Sequence, residues 1–461
     1  MQFIGDTDDT IVAPATVPGV SAIAIIRLSG RDAISIAKKV FRGKDLSAQP
    51  SHTLHFGKVI DPDSKDVIDE VIVSLFLAPH SYTKENSVEI STHGSPFIVQ
   101  KIIKTLIKNG ARMAQPGEFT KRAFLNGQMD LAQAEAVADL IHSDSESSHK
   151  AAINQMRGGF SKEIQKLRKE LIHFASMIEL ELDFSEEDVE FASRQKLIEL
   201  VSNLLDTVNP LISSFDLGNV LKNGVPTVIA GKPNSGKSTL LNKLLNEDRA
   251  IVSEIPGTTR DVIEDEIIIG GIQFRFIDTA GLRETSDTIE KLGVEKAKQK
   301  IEEASLLLYV FDLSEDPIDE IIKKAEELES GNKPFIAVGN KADKADVQLL
   351  SRFNDLEHAL SISASSGEGI ESLKEAILHK IHVDEVKQGD VIVTNIRHYE
   401  NLLRAKVALE DVTSGVEKGI TNDFLAMELR HALMALSEIT GDEITTEDLL
   451  ENIFSKFCIG K

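Results

Sequence analysis

The alternation of apolar and polar positions changes character three times along the chain. Over the first part, short alternating runs predict strands at 21–28, 53–60, 70–77 and 87–91, with turn-rich spacers such as Asp61-Pro-Asp-Ser64 between them. Two 3.6-residue periodicities, at 32–40 and 96–109, predict helices, the second carrying Ile98, Ile102, Ile103 and Leu106 on one face. Together these elements predict a compact α+β domain over residues 1–118.

Beyond it the period becomes helical throughout. Residues 118–139 read as one helix, and Ile164, Leu167, Leu171, Phe174, Ile178 and Leu182 recur at three- and four-residue steps in a charged background. Gly158-Gly159 marks a break, and 196–215 reads as a further helix on Leu197, Leu200, Val201, Leu204 and Leu205. The basic stretch Arg157, Lys162, Lys166, Arg168 and Lys169 reads as a solvated helix face rather than an RNA contact.

At about residue 217 the pattern switches to short apolar strands alternating with helices, which predicts a mostly parallel sheet covered on both faces. Helical periodicity returns near 388 and runs to the end, with a helix start at Thr445-Thr-Glu-Asp448. Helical segments on both sides of an α/β domain predict one discontinuous helical domain with an insertion. The expected division is 1–118, 119–216 (helical, first part), 217–380 (inserted α/β) and 381–461 (helical, second part).

Composition narrows the classes. At 461 residues several cores are expected, and 41% hydrophobic with 27% charged residues is ordinary for a water-soluble globular chain. The single cysteine, Cys458, excludes an internal disulfide framework and suggests a reducing compartment, so a cytoplasmic location is expected. No apolar run reaches the ~18 residues of a membrane span, and the N-terminus lacks the build of a signal peptide. A net charge of -23 repels polyanions, so any nucleic acid must meet a local basic patch or a more basic partner.

The candidate chemistry lies in the α/β domain. Gly231-Lys-Pro-Asn-Ser-Gly-Lys-Ser238 follows an apolar strand and precedes a helix, the context of a phosphate-binding loop. Asn234, Ser235, Gly236, Lys237, Ser238 and Thr239 are its expected nucleotide contacts, with Lys237 on the β/γ-phosphates and the Ser238 hydroxyl on Mg²⁺. The loop Ser253, Glu254, Ile255, Pro256, Gly257, Thr258 and Thr259 follows, with Thr259 as the hydroxyl that completes the Mg²⁺ shell. Asp278, Thr279, Ala280 and Gly281 form a D-x-x-G element. In Asn340-Lys341-Ala342-Asp343 the Asp343 carboxylate can accept both the N1–H and the exocyclic amine of guanine, a donor pair that adenine lacks. Ser363, Ala364 and Ser365 can offer a backbone N–H to the guanine O6. In this order the elements predict a Ras-like GTPase domain.

Leu282 occupies the position where a glutamine would orient attacking water, and a leucine cannot do so. Glu290 is the alternative water-positioning group. Asn234, with the backbone oxygens of Ser253 and Ile255, can enclose a monovalent cation beside the phosphates. Arg260 and Arg283 read equally well as salt-bridge residues. Cys458 reads either as a reactive thiol or as an inert residue at a helix end.

The chain resembles the tRNA-modification GTPase family called MnmE or TrmE over essentially its whole length. The resemblance is carried by Asp9-Thr-Ile-Val-Ala13, Arg27-Leu-Ser-Gly30, Pro116-Gly-Glu-Phe119, Arg122-Ala-Phe-Leu-Asn126, Asp130-Leu-Ala-Gln-Ala-Glu-Ala136, the phosphate loop, Pro256-Gly-Thr-Thr-Arg-Asp261, Asp278-Thr-Ala-Gly-Leu-Arg283 and the terminal Phe457-Cys-Ile-Gly-Lys461. It implies a multidomain α/β protein: a folate-binding-like N-terminal domain that dimerises, a discontinuous all-α domain and an inserted GTPase domain. It implies a homodimer that works with an FAD-dependent MnmG/GidA-type partner on the wobble uridine of certain tRNAs. There it would add an aminomethyl or carboxymethylaminomethyl group at C5, using 5,10-methylene-tetrahydrofolate.

Position by position, the resemblance implies K⁺ on Asn234, Ser253, Ile255 and Thr258, and Mg²⁺ on Ser238 and Thr259. It implies Glu290 as the catalytic glutamate, folate contacts at Arg27, Glu89 and Lys461, and a role for Cys458 in the modification. Gln128 replaces a folate-contacting lysine of the family, and Lys84 and Ser95 replace glycines in its Tyr-Thr-Gly-Glu and His-Gly-Gly-Pro runs. A regulatory or ribosome-assembly GTPase is the other reading, one that needs neither the N-terminal domain nor the cysteine tail.

Overall fold

A computed structural model describes residues 9–183, 194–248, 264–277, 304–331, 333–381, 391–442 and 447–460. Its contacts divide the chain into two compact units. One comprises Met1–Ala138, Met156–Ser176 and Leu429–Lys461, and the other Asp139–Gln155 and Met177–Glu428.

The first unit is built on a seven-stranded sheet: β1 (Thr10–Pro14), β2 (Ser21–Ser29), β3 (Phe41–Arg42), β4 (Thr53–Ile60), β5 (Val67–Phe76), β6 (Ser87–Gly94) and β7 (Ala111–Met113), in the spatial order β3-β4-β5-β6-β2-β1-β7. Only β1 and β7 pair in parallel within it. Alternation along β4, β5 and β6 sends Val59, Val71, Val73, Leu75, Val88 and Ile90 to one face. The helices Ala33–Val40 and Pro96–Lys108 close that face with Ile36, Val40, Ile102 and Leu106.

The opposite face is covered only in part. Near β1, Ile11 and Ala13 pack under Phe119, Ala114 and Tyr82. Toward β4 and β5 it is bare: Ile23, Leu54, Phe56 and Ile72 are 63%, 71%, 67% and 44% exposed on one face of paired strands.

The region expected as one helix over 118–139 is two, Glu118–Leu125 and Leu131–Ile141. The turn between them is closed by Asn126, whose N–H returns to the Arg122 carbonyl at 2.9 Å, and by Gly127. Buried Arg122 anchors the first helix, donating to Glu118, Glu85 and Asp9. In the same unit Phe454 and Phe457 of the C-terminal segment pack with Leu131 and Ala134. Arg168, from the expected solvated basic face, instead donates to Ser437 Oγ at 2.8 Å and pairs with Asp442.

The second unit holds a six-stranded sheet: β8 (Val225–Gly231), β9 (Glu264–Ile269), β10 (Ile272–Ile277), β11 (Leu306–Asp312), β12 (Phe335–Asn340) and β13 (Ala359–Ser361). The order is β13-β12-β11-β8-β10-β9; only the β9–β10 pair is antiparallel, joined by the expected Gly270-Gly271 hairpin. Strands without charged positions on either face, such as β12, are buried throughout, as a two-sided α/β sheet requires.

The helix Phe215–Asn223, which lies beyond the helix expected over 196–215, begins after Ser213-Ser214 and leads directly into β8. It is pinned to the segment that follows the sheet. The Val393 N–H donates to Ser214 Oγ at 3.0 Å, and Phe215 stacks on Tyr399 at 4.4 Å. A side chain at Gly218 would meet the Val393 carbonyl at 2.0 Å, so only glycine allows this approach. The entry to and exit from the α/β region therefore lie side by side.

Candidate functional site

Three loops meet at the carboxyl ends of β8, β12 and β13, where open α/β sheets bind ligands. The first is the phosphate loop, running from Gly231 into the helix Lys237–Asp248, whose N-terminus presents unpaired N–H groups suited to an anion. Asn234 sits in the left-handed region at φ 63°, and Gly236 at φ 92°. A Cβ at Gly236 would lie 2.1 Å from Asn340 Nδ2, so the loop can close against its neighbour only with glycine there.

Asn340, at the end of β12, joins the three loops. Its Nδ2 donates to the Ser235 carbonyl at 2.8 Å, and its Oδ1 accepts the Ala364 N–H at 3.0 Å. Ser363 and Ala364 are buried, while Ser365 and Asp343 are exposed at the rim. The third loop is closed on itself by the Ser363 N–H to the Glu368 carbonyl at 2.9 Å.

Lys237 Nζ donates to the carbonyls of Gly231 and Lys232 at 2.9 and 2.7 Å. Burial holds its ammonium below the ordinary lysine range, a cost that an anion beside it would offset. Ser235 is fully buried and, among the described residues, its hydroxyl has no hydrogen-bond partner. Ser238 and Thr239 are exposed in the first turn of the helix, and Asn234 is exposed on the loop.

Other expected site residues are not among those described. Ser253, Glu254, Ile255, Pro256, Gly257, Thr258, Thr259, Arg260, Asp278, Thr279, Ala280, Gly281, Leu282, Arg283, Glu290 and Lys461 lie outside the described residues.

A second constellation sits on the partly covered face of the first sheet. Arg27 and Glu89 face each other across β2 and β6, with Nε–Oε1 and Nη2–Oε1 distances of 2.9 Å. The Arg27 guanidinium lies 5.6 Å from the Tyr82 ring centroid and 5.8 Å from that of Phe119. It also reaches the Gly460 carbonyl at 3.4 Å, so the C-terminal segment passes beside it at that residue. Pro116 and Ile459 form a bridge, and exposed Cys458 accepts the Gly117 N–H through its carbonyl at 3.4 Å.

Gln128 is not part of this cluster. It is exposed on the turn after Leu125, with its N–H on the Ala123 carbonyl at 2.8 Å. Lys84 is at φ 58°, where glycine is favoured, and its Nζ donates to the Gly127 carbonyl at 2.6 Å. Ser95, by contrast, has φ -92° as the residue before the Pro96 helix, a conformation open to any residue.

The comparisons with known proteins cover the same ground. Residues 10–128 match the model described as the GTP-binding protein TrmE N-terminus, and residues 131–458 match the MnmE helical domain. A tRNA modification GTPase MnmE of Cytophaga hutchinsonii is 56% identical over 453 residues, covering 98% of each chain. The chain belongs to the MnmE/TrmE family. Its relatives in Flavobacterium psychrophilum and Bacteroides thetaiotaomicron, which carry the same name, are each 51% identical over 98% of this chain and 99% of theirs.

Sequence reasoning missed three participants. Phe119 lies against the Arg27 guanidinium, Asp316 pairs with Lys232 of the phosphate loop, and Asp312 pairs with Lys341 of the base-reading loop. Phe119 lay in a matched motif but carries no chemistry of its own. An acidic residue after an apolar strand looks like any solvated turn.

Proposed function

We propose that this chain is a tRNA modification GTPase. The observation that carries the reading is the convergence of Gly231–Ser238, Asn340–Asp343 and Ser363–Ser365 through the Asn340 side chain. Phosphate donors on the first loop and the Asp343 carboxylate on the second support a guanine nucleotide as the ligand, and the family supplies the tRNA context.

The donor set fits a triphosphate. Backbone N–H groups of the loop and helix start bind the phosphates, and Lys237 exchanges the Gly231 and Lys232 carbonyls for phosphate oxygens. Ser238, with Thr259, would hold Mg²⁺, which neutralises charge on the phosphates. Asn234, with Ser253, Ile255 and Thr258, would hold K⁺, which supplies positive charge near the transferred group. Leu282 leaves the orientation of water to Glu290.

For the first unit, the set fits a flat heterocycle with adjacent N–H donors. Glu89 offers a carboxylate, Arg27 a guanidinium and Tyr82 an aromatic ring, while fully buried Phe119 backs the Arg27 guanidinium from below. Arg27 and Glu89 would hold a tetrahydrofolate derivative, which would supply the one-carbon unit, and Cys458 is held within two residues of the Arg27 contact. The bare face of Ile23, Leu54, Phe56 and Ile72 supports homodimerisation, since an apolar sheet face of this kind calls for a cover. The division 1–118, 119–216, 217–380 and 381–461, with the third part inserted, is supported by the contact of Gly218 with Val393. The FAD-dependent MnmG/GidA-type protein and tRNA are its proposed partners, in the cytoplasm. Among the described residues no helix is long and apolar enough to cross a membrane.

Nucleoside analysis of tRNA from cells lacking this chain tests the reading. Loss of the C5 aminomethyl-type group from the wobble uridine is expected. Unchanged modification would favour the ribosome-assembly reading.

A further inference from the structure

A second link, separate from Asn340, ties the base-recognition loop to the phosphate loop. Lys341 follows Asn340 at φ 62°, and its Nζ pairs with Asp312, the last residue of β11, whose side chain is 6% exposed. The other Asp312 oxygen accepts the Ser314 N–H at 3.0 Å and the Ser314 hydroxyl at 2.6 Å. The Asp312 N–H in turn donates to Asp316 Oδ2 at 2.9 Å. Asp316 Oδ1 takes Lys232 Nζ of the phosphate loop at 2.9 Å, and Glu320 takes the same ammonium at 2.7 Å.

Every link in this chain is complementary. Burial would push the Asp312 carboxyl up, but hydrogen bonds from Lys341 and Ser314 outweigh it and hold the group below the ordinary range. The hydrogen bond to Asp312 raises Lys341, and those to Glu320 and Asp316 raise Lys232. Both ends are lysines on loops that must keep register to grip opposite ends of one nucleotide. Between them stand two carboxylates from the β11 strand end and its following turn.

We infer that Asp312 and Asp316 are positioning residues for nucleotide binding: they lock Lys341 and Lys232, and so fix the spacing between the guanine-reading and phosphate-binding loops. This rests on the guanine-nucleotide reading above. The pair acts on ground-state binding rather than on the hydrolytic step, because neither carboxylate belongs to the loops that meet the phosphates.

The test uses the full chain with GTP and a fluorescent GDP analogue in K⁺ and Mg²⁺. Asp312→Asn keeps its size but turns a donor toward Lys341 Nζ. It is expected to raise the GDP dissociation constant and the KM for GTP together by about tenfold, the worth of one charged hydrogen bond, with kcat changed less than about twofold. Asp316→Asn and Lys232→Gln should act in the same direction, and their double variant should be no worse than the poorer single one. Lys232→Gln, on a half-exposed side chain, decides the matter if Asp312→Asn does not fold. Folded variants with unchanged affinity, or a fall in kcat at constant KM, would overturn the assignment. Wild-type chain that binds neither nucleotide would instead overturn the guanine-nucleotide reading itself, and the lock with it.

Discussion

Asn340 and Ser235 are joined by one hydrogen bond, 2.8 Å from the Nδ2 of the first to the carbonyl of the second, although 105 positions separate them in the chain. The same side chain accepts the Ala364 N–H, so one buried amide fixes three loops.

Asn340→Ala is therefore expected to strand a buried carbonyl and a buried N–H, at about 1–3 kcal/mol each. Thermal unfolding should show the loss without nucleotide, and GDP should restore less stability than in wild type. Equal melting of variant and wild type would show that water replaces the bridge.

Asp343→Asn should change the base that is read. An amide offers a donor where the carboxylate accepted two, so guanine loses its partners and the C2 carbonyl of xanthine gains one. Competition binding with GDP and xanthosine diphosphate should show the preference reversed. Retained guanine preference would move base recognition away from Asp343.

Lys84 allows two opposing terms to be separated. Lys84→Ala keeps the left-handed backbone and loses the bond to Gly127, whereas Lys84→Gly loses both the bond and the strain. The glycine variant should be the more stable by about 1–2 kcal/mol, the cost of a left-handed L-residue. Denaturant midpoints of the two variants check this, and equal midpoints would mean that the turn relaxes around either side chain.

Much of this fold was legible because the pattern was strong. Burial alternates along β4 from Leu54 to Val59 and along β6 from Val88 to Gly94, and the loops of the nucleotide site carry their own motifs. What escaped was set by tertiary context. The strands Thr10–Pro14 and Ala111–Met113 are too short for a period and exist because β2 and β1 pair with them. Asn126-Gly127 divides two helices whose apolar stripes align, so periodicity alone joins them. Asp312 and Asp316 became visible as partners only when folding brought Lys341 and Lys232 to them. Gln128, which the resemblance aligns with a folate-contacting lysine, lies exposed on the turn after Leu125.

Acid should loosen the first unit through Asp69. Burial would raise its carboxyl, but the Thr92 hydroxyl, the His93 N–H at 2.8 Å and His93 Nδ1 at 2.7 Å outweigh burial and lower it. A carboxyl lowered on folding contributes stability above its unfolded value, about pH 4, and loses it as pH falls through the lower folded value. Asp69→Asn should thus be less stable than wild type at pH 7 by about 1–2 kcal/mol, with the gap closing below about pH 4. A gap that is constant with pH would assign the loss to packing.

Nucleotide hydrolysis by the purified full chain bears most directly on its being a GTPase with a cation at Asn234. Phosphate release should be measured from GTP and from ATP, each in K⁺ and in Na⁺. GTP turnover in K⁺ that falls strongly in Na⁺, with no ATP turnover in either salt, is the expected result. Equal GTP rates in the two salts would remove the cation, and ATP turned over as readily as GTP, or no GTP turnover in K⁺, would contradict the GTPase reading.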